Sequence, residues 1–123
     1  MTSSDTQTDI TGWHAHVYYG EQTVEQATAL CEAAAKALPV EQGRVHRKPV
    51  GPHPQWSCQL AFMPEHLADV VTWLTLHRDG LTVFVHPNTG DDLVDHRDRA
   101  VWLGDSDTLK LDIFMPKHSG PGA

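Results

Sequence analysis

His14 and His16, separated by a single alanine in "GWHAHVYYG", and His86, which ends the apolar run of "LTVFVHPNTG", are the residues of this chain best suited to hold a metal ion. Neutral imidazole is the commonest protein ligand for iron(II), zinc and other borderline divalent metals. Nine histidines in 123 residues is an excess that calls for a chemical explanation. On a strand, alternate residues share a face and lie about 7 Å apart at Cα, a gap that converging imidazoles can close on one ion. H-x-H alone is a weak signal, and His86 has to join the pair before the pattern means more than surface histidine. Two further histidines suit proton transfer. His53 stands on the prolyl-stiffened stretch "PVGPHPQW", where little entropy is spent in holding an acid or base still, and His96 lies in "DHRD", a segment able to fold back over the cluster. Asp91, Asp92 and Asp95 follow the Pro-Asn-Thr-Gly turn and are placed to orient a ligand imidazole or to complete a two-histidine, one-carboxylate triad. His46, His66 and His77 are read as structural or surface residues, and His118 as part of a polar tail.

The elements that must position these side chains follow from periodicity. "WHAHVYY" alternates as a strand, with His14, His16 and Tyr18 on one face and Trp13, Ala15, Val17 and Tyr19 on the other. "TVEQATALCEAAAKAL" opens with Thr23 and Gln26 in capping-box spacing and repeats Val24, Ala27, Leu30, Cys31, Ala34 and Leu38 at helical intervals. A hairpin follows, with strands around "GRVHRKPV" and "WSCQLAFM" and "GPHP" at its tip. A second helix over "PEHLADVVTWLTLHRDG" carries Leu67, Val70, Val71, Leu74 and Leu76 and ends at Gly80. "LTVFVH" is the next strand, "DDLVDHRDRAVWLG" a short helix or ordered loop, and "TLKLDIF" an alternating edge strand.

The order β-α-β-β-α-β predicts an α+β domain of the ferredoxin-like, split βαβ kind, an antiparallel sheet with two helices on one face. In that topology the first and last core strands are neighbours. Leu81, Val83 and Val85 then face the helices, and Thr82, Phe84 and His86 share the open face with His14 and His16. An open face exposing Tyr18 and Phe84 predicts a homodimer. Gln59, on the same parity, can hydrogen-bond a polar ligand. Tyr18, Phe84 and Trp56 are candidates for an aromatic wall, and Arg47, Lys48 or Arg97 for a substrate carboxylate. His53 raises a difficulty, since a hairpin tip at the far end of the first strand from His14 reaches the cluster only along an extended pocket or from a dimer mate.

Composition bounds the rest. A single domain over residues 12–114 with flexible tails at 1–11 and 115–123 fits the length. The formal charge of −7 argues against a nucleic-acid partner, and no apolar run is long enough for a membrane span or signal peptide. Cys31 and Cys58 fit no zinc spacing and read as reduced, buried thiols, so the expected setting is cytoplasmic.

In the order "HAHVYY", "PVGPHP", "QLAF", "LHRDGLTVFVHPNTGDDLVDH" and "AVWLG", the chain resembles the DOPA 4,5-dioxygenase family of fungal pigment enzymes and their bacterial relatives over residues 13 to about 114. The resemblance implies a ferredoxin-like dimer that opens the ring of a catechol by extradiol cleavage, using dioxygen and a non-haem ferrous ion; the Irving–Williams order makes zinc a competing ion in purified protein. It carries the family's histidines onto His14, His16, His53, His86 and His96 without saying which bind metal and which move protons. The residues alone leave two other readings open: a metal- or small-aromatic-binding module of the same fold without turnover, and a structural dimer with histidines lining its interface.

Overall fold

The computed structural model describes residues 8–116; His118 and most of both expected tails lie outside that range. The chain runs β1 (Gly12–Tyr19), α1 (Val24–Ala37), β2 (Glu41–Gln42), β3 (Trp56–Phe62), α2 (Leu67–His77), β4 (Val83–Asn88), α3 (Asp92–Arg97) and β5 (Val101–Leu103). Single 3₁₀ turns lead into α2 at Pro64–His66 and form the last element of the described residues at Leu111–Phe114. The sheet has five antiparallel strands in the order β2-β3-β1-β4-β5. Its first four strands stand in the order a split βαβ unit gives, and β5 extends the β4 edge.

Alternation decides the two faces. Ala15, Val17 and Tyr19 of β1, Cys58, Leu60 and Phe62 of β3, and Val83 and Val85 of β4 point to the helices. There they pack on Ala27, Cys31 and Ala34 of α1 and on Val70 and Leu74 of α2. Both cysteines are free and buried. No described helix is long and apolar enough to cross a membrane.

Several local expectations are revised. The capping box does not form: Thr23 Oγ1 accepts the Gly20 N–H at 3.1 Å, and Gln26 Nε2 donates to the Asp79 carbonyl at 2.9 Å. Leu76 is 74% exposed, because it lies two positions past buried Leu74 and so falls on the other side of α2. "GRVHRKPV" makes no ladder of its own beyond β2, although the Gly43 and His46 N–H groups bond to the Gln59 and Ser57 carbonyls of β3. "TLKLDIF" is not a strand. The free edge of β4 is already taken by β5 through Val83↔Leu103 and Val85↔Val101, so the alternating segment has no ladder to join, and it turns at Leu111–Phe114 instead.

The largest revision concerns the face opposite α1 and α2. It is covered within a single chain by the tip around Pro52 and His53, by α3, and by the Leu111–Phe114 turn. Tyr18 is 3% exposed and Phe84 fully buried, so neither needs a partner subunit to cover it. The argument for a dimer from their exposure therefore fails.

Candidate active site and metal centre

β1 and β4 pair so that His14 stands opposite His86 and His16 opposite Phe84. His16 and His86 are buried and His14 partly so, and one ring nitrogen from each of the three lies within 4.8 Å of the others. The Nε2 atoms of His16 and His86 are 3.0 Å apart. Two nitrogens each about 2.1 Å from a common ion lie roughly 3.0 Å apart at a right angle and 3.4 Å at a tetrahedral one, so the pair suits either geometry. His86 Nδ1 lies 2.9 Å from the Pro87 carbonyl, which only accepts; the proton is therefore on Nδ1 and the Nε2 lone pair is free for a metal.

Burial keeps these imidazoles uncharged. It lowers the pKa of His86 to about 3, against a smaller opposing effect of the Pro87 carbonyl and with help from the charges of His96, His14 and His53. His16 is held well below the ordinary histidine value by burial first and then by His53, His86, His14 and His96. His14 is lowered by burial and then by His96. Uncharged imidazole is the ligand form.

His53 and His96 close in on His16 and His86 respectively. His96, on α3, stacks over His86 with ring centroids 3.9 Å apart, and its Nδ1 donates to the Asp92 carbonyl at 2.7 Å. Phe114 packs on the same ring at 4.5 Å. His53 sits 4.1 Å from His16, ring to ring, and its Nδ1 is 2.7 Å from the Tyr18 hydroxyl. The hairpin tip thus reaches the cluster in its own chain, contrary to the difficulty raised above. Gly51, at φ +57°, turns the chain back so that the His53 N–H meets the Val50 carbonyl, and the Lys110 N–H clamps the Pro52 carbonyl at 2.8 Å. Burial, followed by the charges of His96, His46 and His14, lowers the His53 pKa to about 4.

These side chains line an open cavity of about 270 Å³, together with Gln59, Asn88 and Asp92. A larger groove of about 530 Å³ passes the exposed side of His14 toward Glu41 and Met63, but one imidazole among mostly apolar groups offers it no comparable chemistry. Gln59 takes its expected place, opposite His16 in the β1–β3 register. Tyr18 and Phe84 do not line the cavity. Tyr18 lies behind His53, and Phe84 is a floor beneath His16, His86 and His96, with Trp102 against it at 4.7 Å. Trp56 has the opposite parity and packs on Tyr19. None of Arg47, Lys48 and Arg97 borders the cavity, and Arg97 is paired with Asp98 at 2.9 Å.

The aspartates hold the scaffold. Asp91 Oδ1 caps α3 by accepting the Val94 N–H at 3.2 Å. Asp95, 1% exposed, accepts the Thr89 N–H, the Thr89 hydroxyl and Arg99 Nη1 at 2.7, 2.8 and 3.0 Å. Burial works to raise its pKa, but those bonds outweigh it and hold the carboxyl below its ordinary value. Orientation of the imidazoles, expected from carboxylates, falls to the carbonyls of Pro87 and Asp92. Pro52, Asn88 and Phe114 were not anticipated, since nothing in their local sequence distinguishes them from loop and strand-end residues.

The model of the Dopa 4,5-dioxygenase family matches residues 13–113. The chain belongs to that family. Among its relatives, a DOPA 4,5-dioxygenase of Amanita muscaria is 32% identical over 112 residues, and an uncharacterized 21.2 kDa protein of Botryotinia fuckeliana is 33% identical over 117 residues. Each alignment takes in 84% of this chain, but only 49% and 62% of the respective relatives, so the chain spans about half the length of the first and less than two thirds of the second. The crystal structure of a candidate dioxygenase from Nostoc punctiforme superposes with a TM-score of 0.82 at 41% identity, over 84% of this chain and 90% of that one. A chain of a dioxygenase family thus carries a histidine cluster able to hold a metal.

Proposed function

We propose that this protein is an extradiol ring-cleaving dioxygenase that acts on a small catechol, DOPA-like or simpler, with dioxygen at a ferrous centre held by His14, His16 and His86. The observation that carries the reading is the convergence of three uncharged imidazoles at an open cavity that two more imidazoles border. Three protein ligands leave coordination positions free, and a ferrous ion in that position would supply the site at which both catechol oxygens and dioxygen meet.

The chain's own residues do the rest. Phe84 and Trp102 keep water from beneath the imidazoles. Gln59 and Asn88 offer amides to the polar edge of a ligand, while Pro52 and Phe114 add apolar lining for its ring. His53 and His96 stand within reach of whatever the cavity holds and are the groups for proton transfer. The homodimer is also proposed, on the family resemblance and no longer on an exposed face, with sedimentation at micromolar concentration as its check. A reducing, cytoplasmic setting accords with two free thiols.

The test is anaerobic loading with iron(II), followed by oxygen and a panel of catechols. Oxygen uptake with formation of a yellow semialdehyde is expected. Metal uptake without oxygen consumption across the panel would favour a binding module of the same fold.

A further inference from the structure

His53 and His96 differ in one respect that their ring positions alone do not reveal: what their Nδ1 atoms touch. For His96 the partner is the Asp92 carbonyl, 2.7 Å away, which has no proton to give. The proton of the uncharged ring must then be on Nδ1, and Nε2 carries a lone pair. For His53 the partner is the Tyr18 hydroxyl, also at 2.7 Å. Tyr18 is 3% exposed, and among the described residues that hydroxyl has no other hydrogen-bond partner. If His53 donated from Nδ1, the phenolic proton would be buried with nothing to accept it, a costly arrangement. The hydroxyl therefore donates, Nδ1 accepts, and the proton of His53 is on Nε2.

We infer that Tyr18 makes His53 the hydrogen-bond donor of the site, while the Asp92 carbonyl makes His96 its acceptor, so that two imidazoles of like type have opposite roles. Resting on the ring-cleavage reading, the consequence is a division of proton work. A catechol hydroxyl at the site gives its proton to His96 Nε2: the O–H bond breaks, an N–H bond forms, and the electron pair stays on oxygen. His53 keeps its proton and offers it as a hydrogen bond to a substrate oxygen bearing negative charge. Tyr18 acts on the substrate only through His53 and is a positioning residue.

Long-range ¹H–¹⁵N spectra of the full chain at neutral pH report which nitrogen of each imidazole is protonated, with His53→Gln and His96→Gln identifying the signals. The Nε2–H form is expected for His53 and the Nδ1–H form for His96. An Nδ1–H form of His53 in the wild-type protein would overturn the inference, and this measurement needs neither turnover nor a folded Tyr18 variant. In Tyr18→Phe the His53 signals are expected to move toward a mixture of tautomers, with zinc uptake and the His96 signals unchanged; an unmoved His53 would count equally against it. With a catechol that is turned over, Tyr18→Phe should lower kcat roughly tenfold at constant KM, and a change in KM alone would contradict the role. Absence of turnover with every catechol would count against the proposed function and leave the spectra to judge the tautomers.

Discussion

His16 and His86 meet through their Nε2 atoms at 3.0 Å, although they are not opposite each other in the β1–β4 register. His86 stands opposite His14, and His16 opposite Phe84, so the close contact is a diagonal one between rings whose planes are 14° from parallel. The geometry follows from the floor: Phe84 fills the space opposite His16 and leaves its imidazole the direction of His86.

Removal of one of these imidazoles should abolish tight metal binding. His16→Ala and His86→Ala are each expected to weaken zinc or iron(II) binding by at least about 100-fold, more than loss of a ligand's supporting hydrogen bond usually costs. His46→Ala, outside the cluster, should bind as the wild type does. Titration calorimetry with zinc distinguishes them, and undiminished affinity in His16→Ala would exclude the cluster as the metal site.

Acid should destabilise the metal-free protein well before its carboxylates titrate. His86 and His53 have folded pKa values of about 3 and about 4, below the ordinary 6.5. The unfolded chain thus binds more protons between those values. The contribution to stability is complete above pH 6.5 and is lost as pH falls toward the folded values. At pH 5 the loss is of order 2 kcal/mol per histidine. Urea unfolding at pH 7.5 and pH 5 measures it, and His53→Gln should flatten the dependence.

Asp95 is expected to be the most sensitive carboxylate. Asp95→Ala leaves the Thr89 N–H without its partner and frees the turn between β4 and α3, at a cost of about 3 kcal/mol. Arg99→Ala, which removes a half-exposed partner, should cost under about 1 kcal/mol. Thermal unfolding ranks the two, and equal losses would contradict the assignment.

Phe114 lines the cavity beside His96. Phe114→Ala is expected to raise KM for a catechol roughly tenfold, the scale of one lost aromatic contact, and to leave zinc stoichiometry intact. Steady-state kinetics alongside metal analysis checks both, and loss of metal would mean that the turn supports the cluster itself.

Alternation, taken with the strand order of a split βαβ unit, was enough to put His14, His16 and His86 on one face, because a period of two fixes parity wherever a strand has one buried side. Helix periodicity likewise named the core partners Ala27, Cys31, Ala34, Val70 and Leu74. Motif order was enough for the family. What covers the histidine face was not legible. His53 joins the cluster through a turn at Gly51, a phenol 35 residues away in sequence and the N–H of Lys110, contacts that no local pattern encodes. "TLKLDIF" has the pattern of a strand, yet β5 already holds the edge it would need, and only the assembled sheet reveals that competition. The tertiary structure also decided the hydrogen-bonding sense of each imidazole. A histidine's sequence neighbours leave both tautomers available, and the choice is made by whether a carbonyl or a hydroxyl comes to lie against its Nδ1.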